Sequence, residues 1–175
     1  MVKQTLILAS LFLVTLGSAL AQEKAPEDNS LLLPIMNAAL PFDQILTAGQ
    51  PTPDQLEQAK ARGYKAVINL RTGKENPSPE VERKWVEGLG MRYISLPVDG
   101  KKGVTKENAL KLADYLKDSS LYPLIVHCYT SNRTGAIFAI KAFHVDGKSA
   151  DQSLEVGKKA GLKSLAGYVR KQLNR

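Results

Sequence analysis

Residues 124–145 read LIVHCYTSNRTGAIFAIKAFHV, which is a short apolar run, a polar loop and a longer apolar run. The first run, residues 124–126, is typical of a buried strand because it is apolar on both faces. The second run, residues 135–145, has the length and composition of a helix that packs against a sheet. The polar loop between them, residues 128–133, is therefore predicted to lie at the carboxyl end of a strand, where α/β sheets bind ligands.

The rest of the chain repeats this alternation of strand and helix. Thr52 and Gln55 form a capping box around Pro53, which predicts a helix start. The pattern predicts strands at residues 42–46, 65–70 and 92–98, and helices at about residues 53–61, 79–88, 105–117, 150–160 and 164–173. This spacing indicates the α/β class: a single domain with a mainly parallel central sheet flanked by helices, and the candidate loop between a buried strand and a helix.

The loop combines a nucleophile with an anion-binding turn. A loop that enters a helix amino terminus turns backbone N–H groups toward one point, and Arg133 can add two charge-assisted hydrogen bonds to an oxyanion. The same positive field favours the thiolate of Cys128. We therefore expect Cys128 and Arg133 to be catalytic, and the substrate-binding set to be Tyr129, Thr130, Ser131, Asn132 and Arg133.

A structural interpretation competes with the chemical one. It makes Cys128 a small buried side chain and Arg133 an ordinary surface cation. The strand before the loop, the helix after it and the absence of any other cysteine in the 175 residues favour the chemical interpretation.

Five further residues are candidates for the same site. His127 either orders the loop by hydrogen bonding or is a satisfied histidine at a strand end, and Thr134 either donates a hydrogen bond to the thiolate or only begins a helix. Asp99 ends the strand before the loop strand, so it is the candidate general acid, with ordinary Asp-Gly turn chemistry as the alternative. Gln50 and Arg71 also follow strands and either line the rim of the site or stabilise its loops.

The amino terminus has the layout of a secretory signal peptide. Lys3 precedes an apolar run at residues 6–16, and small residues precede Ala21. Cleavage after Ala21 predicts a periplasmic or secreted protein with no stable membrane insertion, while an uncleaved anchor is the alternative. Residues 22–40 are predicted to form a flexible leader, and residues 41–175 the catalytic domain.

Charge and composition restrict the partners. The formal net charge of +7 favours anionic substrates. The chain lacks the interleaving of arginine and aromatic residues that is typical of nucleic-acid binding, so no nucleic-acid partner is expected. The oligomeric state is left open.

Several motifs together resemble one enzyme family. The chain resembles the cysteine-dependent dual-specificity and tyrosine phosphatases, in particular a small bacterial branch similar to the phosphatase-like domain of beta-lactamase hydrolase-like proteins. The matching segments are AGQPTP (residues 48–53), VINLR (67–71), PVD (97–99), the His127–Gly135 loop and AGLKSL (160–165). The resemblance implies a phosphocysteine intermediate on Cys128, phosphate binding by Arg133 and a general acid, then base, at Asp99. It implies a phosphorylated protein or small molecule as substrate, and no metal or organic cofactor.

The loop departs from the usual pattern in two places. Only four residues separate Cys128 from Arg133, where typical members have five, and rhodanese-type sulfurtransferases share the short spacing. Ser131 also replaces a common glycine, which strains the loop if that position needs a positive φ. Two alternatives therefore stay open: a sulfurtransferase that carries a persulfide on Cys128, and a non-catalytic phosphate-binding module.

Overall fold

The computed structural model describes residues 29–174, so the predicted signal peptide lies outside the described residues. These described residues contain five strands and six α-helices. The strands are β1 (Ala39–Phe42), β2 (Ile45–Ala48), β3 (Ala66–Asn69), β4 (Arg92–Ser95) and β5 (Leu124–His127). The helices are α1 (Pro53–Ala61), α2 (Pro79–Gly88), α3 (Lys106–Tyr115), α4 (Asn132–His144), α5 (Ala150–Lys159) and α6 (Ala166–Leu173).

The strands form one mainly parallel sheet in the order β1-β2-β5-β3-β4, in which only β1 runs antiparallel to its neighbour. Ala48 and Asn69, the last residues of β2 and β3, both pair with His127, the last residue of β5. The chain therefore leaves three neighbouring strands at the same level of one sheet edge. The α/β single-domain prediction is confirmed.

Side chains that alternate along the strands build a core on each face of the sheet. Ile68 and Val126 pack against α3, α4, α5 and α6, whereas Val67 and Ile125 pack against α1 and α2. Helix α4 is buried along most of its length because it lies at the centre of the larger core. The loop that precedes α4 is thereby held between a central strand and a central helix.

Local signals predicted several helix bounds well. The Thr52–Gln55 capping box is present, and α1 and α2 begin at Pro53 and Pro79 as expected. The predicted strand at residues 42–46 is instead two strands joined by a tight turn at Asp43 and Gln44, where Gln44 has φ +55°. No glycine or proline marks this turn in the sequence. The helix after the loop begins at Asn132 rather than at residue 135, so Arg133 lies in its first turn.

The predicted leader at residues 22–40 needs correction in its described part. Leu33 and Ile35 are buried in the core beside α1 and α2. The Tyr64 hydroxyl donates to the Leu31 carbonyl at 2.6 Å, and Gln55 Nε2 donates to the Pro34 carbonyl at 2.6 Å. Residues 31–37, called the N-terminal strap below, are therefore part of the folded domain. None of the helices within residues 29–174 is long and apolar enough to cross a membrane.

Candidate active site

The loop after β5 has its carbonyl groups held from outside. The Cys128 carbonyl lies 3.2 Å from His127 Nδ1, which must carry the proton because a carbonyl only accepts. The Tyr129 carbonyl accepts from the Gln50 N–H at 3.1 Å, and the Thr130 carbonyl accepts from Asn37 Nδ2 at 3.1 Å. In a trans peptide the C=O and the following N–H point in opposite directions. The N–H groups of Tyr129, Thr130 and Ser131 therefore point away from these donors, and that of Ser131 faces Ala48 in the antiparallel bridge between Gly49 and Thr130.

Several N–H groups of the loop are available to bind an anion. The N–H groups of Tyr129, Thr130, Asn132 and Arg133 donate to no acceptor within residues 29–174. Asn132 and Arg133 begin α4, where orphan donors and the helix dipole favour negative charge. The backbone thus supplies an anion-binding turn at the predicted position.

Cys128 and Arg133 meet at the two ends of this turn. Cys128 is a free cysteine with 1% of its surface exposed. The Arg133 guanidinium lies close enough to the Cys128 sulfur for their charges to interact. Burial lowers the pKa of Arg133, but its hydrogen bonds to Glu75 and the negative charge of Cys128 outweigh burial and raise the pKa above its usual value. The nucleophile and the cation are therefore neighbours.

Glu75 orients the guanidinium, and the sequence interpretation did not identify it. Arg133 Nη1 and Nη2 donate to the two Glu75 carboxylate oxygens at 2.7 and 2.6 Å, and Nη1 also donates to the Val98 carbonyl at 3.0 Å. Burial raises the pKa of Glu75, but the Arg133 and Thr72 hydrogen bonds prevail and lower it to about 2. Glu75 lies close to Arg71 in the sequence, but no local signal links it to Arg133.

The Glu75 contacts leave one edge of the guanidinium free. Arginine has five N–H groups in a fixed fork. Glu75 and Val98 take both N–H groups of Nη1 and one of Nη2. The Nε–H and the second Nη2–H form the other edge, which matches two oxygens of a phosphate.

A buried charged cluster lies beneath the loop. His127 Nε2 is 2.9 Å from Glu82 Oε1, although the two atoms are not in hydrogen-bond geometry. Arg71 Nη1 is 3.9 Å from Glu82 Oε2 and also donates to the Gln50 side chain. Arg71, Glu82 and His127 are all fully buried, so these residues support the loop from below. Gln50 and Arg71 thus occupy supporting positions, and Glu82 is a second residue that sequence reasoning missed.

Asp99 lies at the rim of the site. It follows Val98, whose carbonyl accepts from Arg133, and it is exposed. Its backbone carbonyl accepts from the Gly103 N–H at 2.9 Å, in the predicted turn. The carboxylate makes no hydrogen bond or ion pair with residues 29–174, so it is free to meet a substrate.

The side chains of the loop point in different directions. Tyr129 and Thr130 are exposed, and the Arg71 guanidinium lies 6.0 Å from the Tyr129 ring centroid. The buried Ser131 hydroxyl donates to the Ala160 carbonyl at 3.2 Å, and Ser131 packs on Gly161, where any Cβ would clash. Ser131 has φ +68°, so this position does need the conformation that glycine favours.

Two further polar side chains lie near the loop, those of Asn132 and Thr134. Asn132 Nδ2 donates to Ser164 Oγ at 2.7 Å, and its Oδ1 accepts from the Lys163 N–H at 2.8 Å. Asn132 can therefore contribute to anion binding only through its backbone. Thr134 is buried, and its hydroxyl has no hydrogen-bond partner within the described residues. No group of three or more His, Cys, Asp or Glu side chains in residues 29–174 is arranged to hold a metal ion.

A mainly parallel sheet, a cysteine at the carboxyl end of its central strand and an arginine in the following helical turn are features of the tyrosine and dual-specificity phosphatase class of fold. A sequence profile of the family described as "DSP-PTPase phosphatase fused to NAD+ kinase" matches residues 41–167. The chain belongs to this family.

A curated bacterial protein is similar to part of the chain. The chain is 26% identical over 118 residues to the beta-lactamase hydrolase-like protein of Xylella fastidiosa (strain Temecula1 / ATCC 700964). The match covers 65% of this chain but only 26% of that protein, so the chain spans about a quarter of the relative's length.

Solved structures share the fold. The DUF442 protein of Shewanella putrefaciens CN-32 has a TM-score of 0.62 at 19% identity and covers 81% of this chain and 93% of its own. The core catalytic domain of the PP-IP phosphatase SIW14 from S. cerevisiae has a TM-score of 0.60 at 15% identity, covering 81% and 88%. The nma1982 protein of Neisseria meningitidis z2491 has a TM-score of 0.63 at 18% identity, covering 77% and 96%. At these identities the likeness concerns the fold alone.

Proposed function

We propose that the chain is a cysteine-dependent phosphatase that hydrolyses a phosphomonoester through a phosphocysteine intermediate. One observation carries the proposal: the Cys128 sulfur lies beside a guanidinium that Glu75 fixes from the opposite edge. The substrate is a phosphorylated protein or small molecule. No cofactor is required in this scheme.

In the first step the Cys128 thiolate attacks phosphorus, and the bond between phosphorus and the ester oxygen breaks. The free N–H groups of the loop and the open edge of Arg133 hold the non-bridging oxygens, whose charge they stabilise most strongly in the transition state. Protonated Asp99 gives its proton to the departing oxygen. The product alcohol leaves, and the phosphoryl group remains on sulfur.

In the second step water attacks the phosphocysteine. The Asp99 carboxylate takes a proton from that water, the sulfur–phosphorus bond breaks, and inorganic phosphate leaves. The Cys128 thiolate and the protonated Asp99 are thereby restored, so the cycle balances. The exposed position of Asp99 beside Val98 supports this double use.

The proposal is tested by two assays on the same purified chain, one with an aryl phosphate and one with thiosulfate plus cyanide. We expect phosphate release and no thiocyanate, and a loss of at least about a thousandfold for Cys128→Ser with retained phosphate binding. Thiocyanate without phosphate would replace the proposal with a sulfurtransferase. Phosphate binding with neither product would indicate a binding module.

The role of Asp99 has its own test. Asp99→Asn should reduce kcat/KM by about a hundredfold or more for alkyl phosphates, whose leaving groups need a proton, and only a few-fold for 4-nitrophenyl phosphate. Asp54→Asn, which changes an exposed carboxylate in α1, is the control and should affect neither substrate. Equal losses on both substrates would remove Asp99 from the role of acid.

We also infer that the chain is exported and begins at Gln22 after cleavage. The support is the charged, apolar and small-residue pattern of residues 1–21. Amino-terminal sequencing of protein from the periplasm or medium should give Gln22, and an intact residue 1 in the cytoplasm would contradict export.

A further inference from the structure

The segment between β4 and α3 carries Asp99 on a turn that is closed on itself. The Gly103 N–H donates to the Asp99 carbonyl at 2.9 Å, which makes residues 99–103 a single helical turn that is not continued. Just before it, the Val98 N–H donates to the Leu70 carbonyl at 3.0 Å and extends the pairing of β3 with β4. The candidate acid therefore lies where an extended segment meets a closed turn.

Gly103 lies closer to the Val98–Asp99 peptide than any side chain would allow. A Cβ at Gly103 would lie 2.3 Å from the Asp99 nitrogen and 2.7 Å from the Val98 carbonyl carbon. Ordinary contacts begin at 3.4 Å, so a larger residue would displace this peptide by about 1 Å. Gly103 is not among the glycines with a positive φ, so the close approach, and not backbone freedom, requires glycine here.

The same peptide is bound by Arg133 through its oxygen. The Val98 carbonyl accepts from Arg133 Nη1 at 3.0 Å, and this oxygen is not among the three atoms nearest to Gly103. Because the peptide is planar, the Val98 oxygen and the Asp99 Cα move together. The contact with Gly103 therefore affects where Asp99 lies relative to Arg133.

Two helices hold the end of the turn in place. Asn108 Nδ2, in the first turn of α3, donates to the Gly103 carbonyl at 2.8 Å, while the Asn108 N–H donates to the capping hydroxyl of Thr105 at 3.2 Å. The next carbonyl, that of the buried Val104, accepts from Gln172 Nε2 of α6 at 2.9 Å. The backbone of the turn is thus fixed, although the carboxylate that it carries is free.

We propose that Gly103, held by Asn108, is a positioning residue that sets the place of Asp99 relative to Arg133. The inference rests on the proposed function, because the place of Asp99 matters to the reaction only if Asp99 transfers the proton. It predicts a loss that is confined to substrates whose leaving group needs that proton. Phosphate binding should be retained, because Glu75 holds Arg133 independently of the turn.

Steady-state kinetics on two substrates test the inference. Asn108→Ala should lower kcat/KM about tenfold for an alkyl phosphate, the size expected for one net hydrogen bond, and less than about twofold for 4-nitrophenyl phosphate. Gly103→Ala should cost about a hundredfold on the alkyl phosphate, because a displacement of about 1 Å has effects of that size. No loss with Asn108→Ala, or equal losses on both substrates, would overturn the inference.

A double-mutant cycle ties the effect to Asp99. In an Asp99→Asn background, Asn108→Ala should change hydrolysis of the alkyl phosphate less than about twofold, because no acid is left to misplace. A full tenfold loss in that background would overturn the inference. So would a tenfold weaker binding of inorganic phosphate when Asn108→Ala is combined with Cys128→Ser and measured by calorimetry, because the turn would then act through Arg133.

Ser149→Ala is the matched control for stability. The Ser149 hydroxyl accepts from the Gln152 N–H at 3.3 Å and caps α5, so its removal also deletes one hydrogen bond at a helix start. It should lower the unfolding midpoint about as much as Asn108→Ala does and leave the ratio of the two activities unchanged. An equal change of that ratio with Ser149→Ala would mean that stability alone explains the loss.

A crystal structure of the Gly103→Ala chain separates this inference from the proposed function. The Asp99 Cα should move by about 1 Å relative to Arg133, and an unchanged position would overturn the inference whatever the activity. If the unmodified chain neither binds phosphate nor hydrolyses an aryl phosphate, the proposed function fails, and the position of Asp99 still shows whether Gly103 sets it. Asn108→Ala introduces no clash, so its kinetics decide the inference if Gly103→Ala does not fold.

Discussion

The candidate loop is held on two sides by different chemistry. Below it lies the inner support, formed by Arg71, Glu82 and His127, which are charged or ionisable and fully buried. Outside it lies the outer clamp, formed by Asn37, Lys163 and Asn132, which are partly or fully exposed and act through short polar contacts. Buried charges are costly to leave unpaired, whereas exposed contacts are individually weak. The inner support should therefore determine whether the loop forms. The outer clamp should determine the orientation of the loop's peptide groups.

The largest expected effect comes from the inner support. Glu82→Gln removes the buried carboxylate beside Arg71 and His127, and we expect a loss of about 3 kcal/mol in the free energy of unfolding. Denaturant unfolding followed by circular dichroism measures it. Glu87→Gln, which breaks an exposed pair with Arg83 on the same helix, should cost less than about 1 kcal/mol. Equal losses in the free energy of unfolding would contradict the distinction between buried and exposed support.

Glu75 belongs to neither the inner support nor the outer clamp, and its contribution to the stability of the chain depends on pH. Its pKa of about 2 in the folded chain lies below the ordinary value of 4.5. Its contribution to stability is therefore complete above about pH 4.5 and is lost as the pH falls toward 2. Glu75→Gln should destabilise the chain by roughly 2–3 kcal/mol at pH 7, allowing for the solvent access of a side chain that is 22% exposed.

Unfolding curves at pH 7 and near pH 2 check this prediction. The gap between the two proteins should shrink as the pH is lowered. A gap of constant size would mean that the Glu75 charge does not stabilise Arg133.

The smallest expected effect concerns Lys163 in the outer clamp and tests whether it acts by its charge or by its hydrogen bond to Asn37. Lys163→Met and Lys163→Gln both remove the charge, but only glutamine can still donate to Asn37 Oδ1. Methionine should therefore weaken phosphate binding roughly two- to threefold more than glutamine does, by about half of one net hydrogen bond. Equal affinities would show that Lys163 acts through its charge and not by orienting Asn37.

Local sequence signals predicted the parts of the fold and site that local interactions determine. Pro53, Pro79 and their caps marked helix starts, and the apolar strand before Cys128 marked the place of the loop. The same reasoning predicts one strand at residues 42–46 where the structure has two, because the turn at Asp43–Gln44 has no glycine or proline to mark it.

The residues that support the loop could not be predicted in this way. Glu75, Glu82 and Asn37 reach Arg133, His127 and Thr130 across large separations in sequence. Such residues come together only through the order of the strands in the sheet. The spacing of single polar residues along the sequence does not reveal that order. The sequence predicts a flexible leader at residues 22–40 because the acidic and proline-containing residues before the strap resemble a linker, although Leu33 and Ile35 are apolar.

Trapping the covalent intermediate tests the central claim most directly. The Asp99→Asn chain, in which water attack on the intermediate should be slow, is mixed with 4-nitrophenyl phosphate, quenched in acid within a second and digested for mass spectrometry. We expect the peptide that contains Cys128 to gain the mass of one phosphoryl group, and no gain in the Cys128→Ser chain. Release of nitrophenol and phosphate without any phosphoryl group on Cys128 would contradict the account.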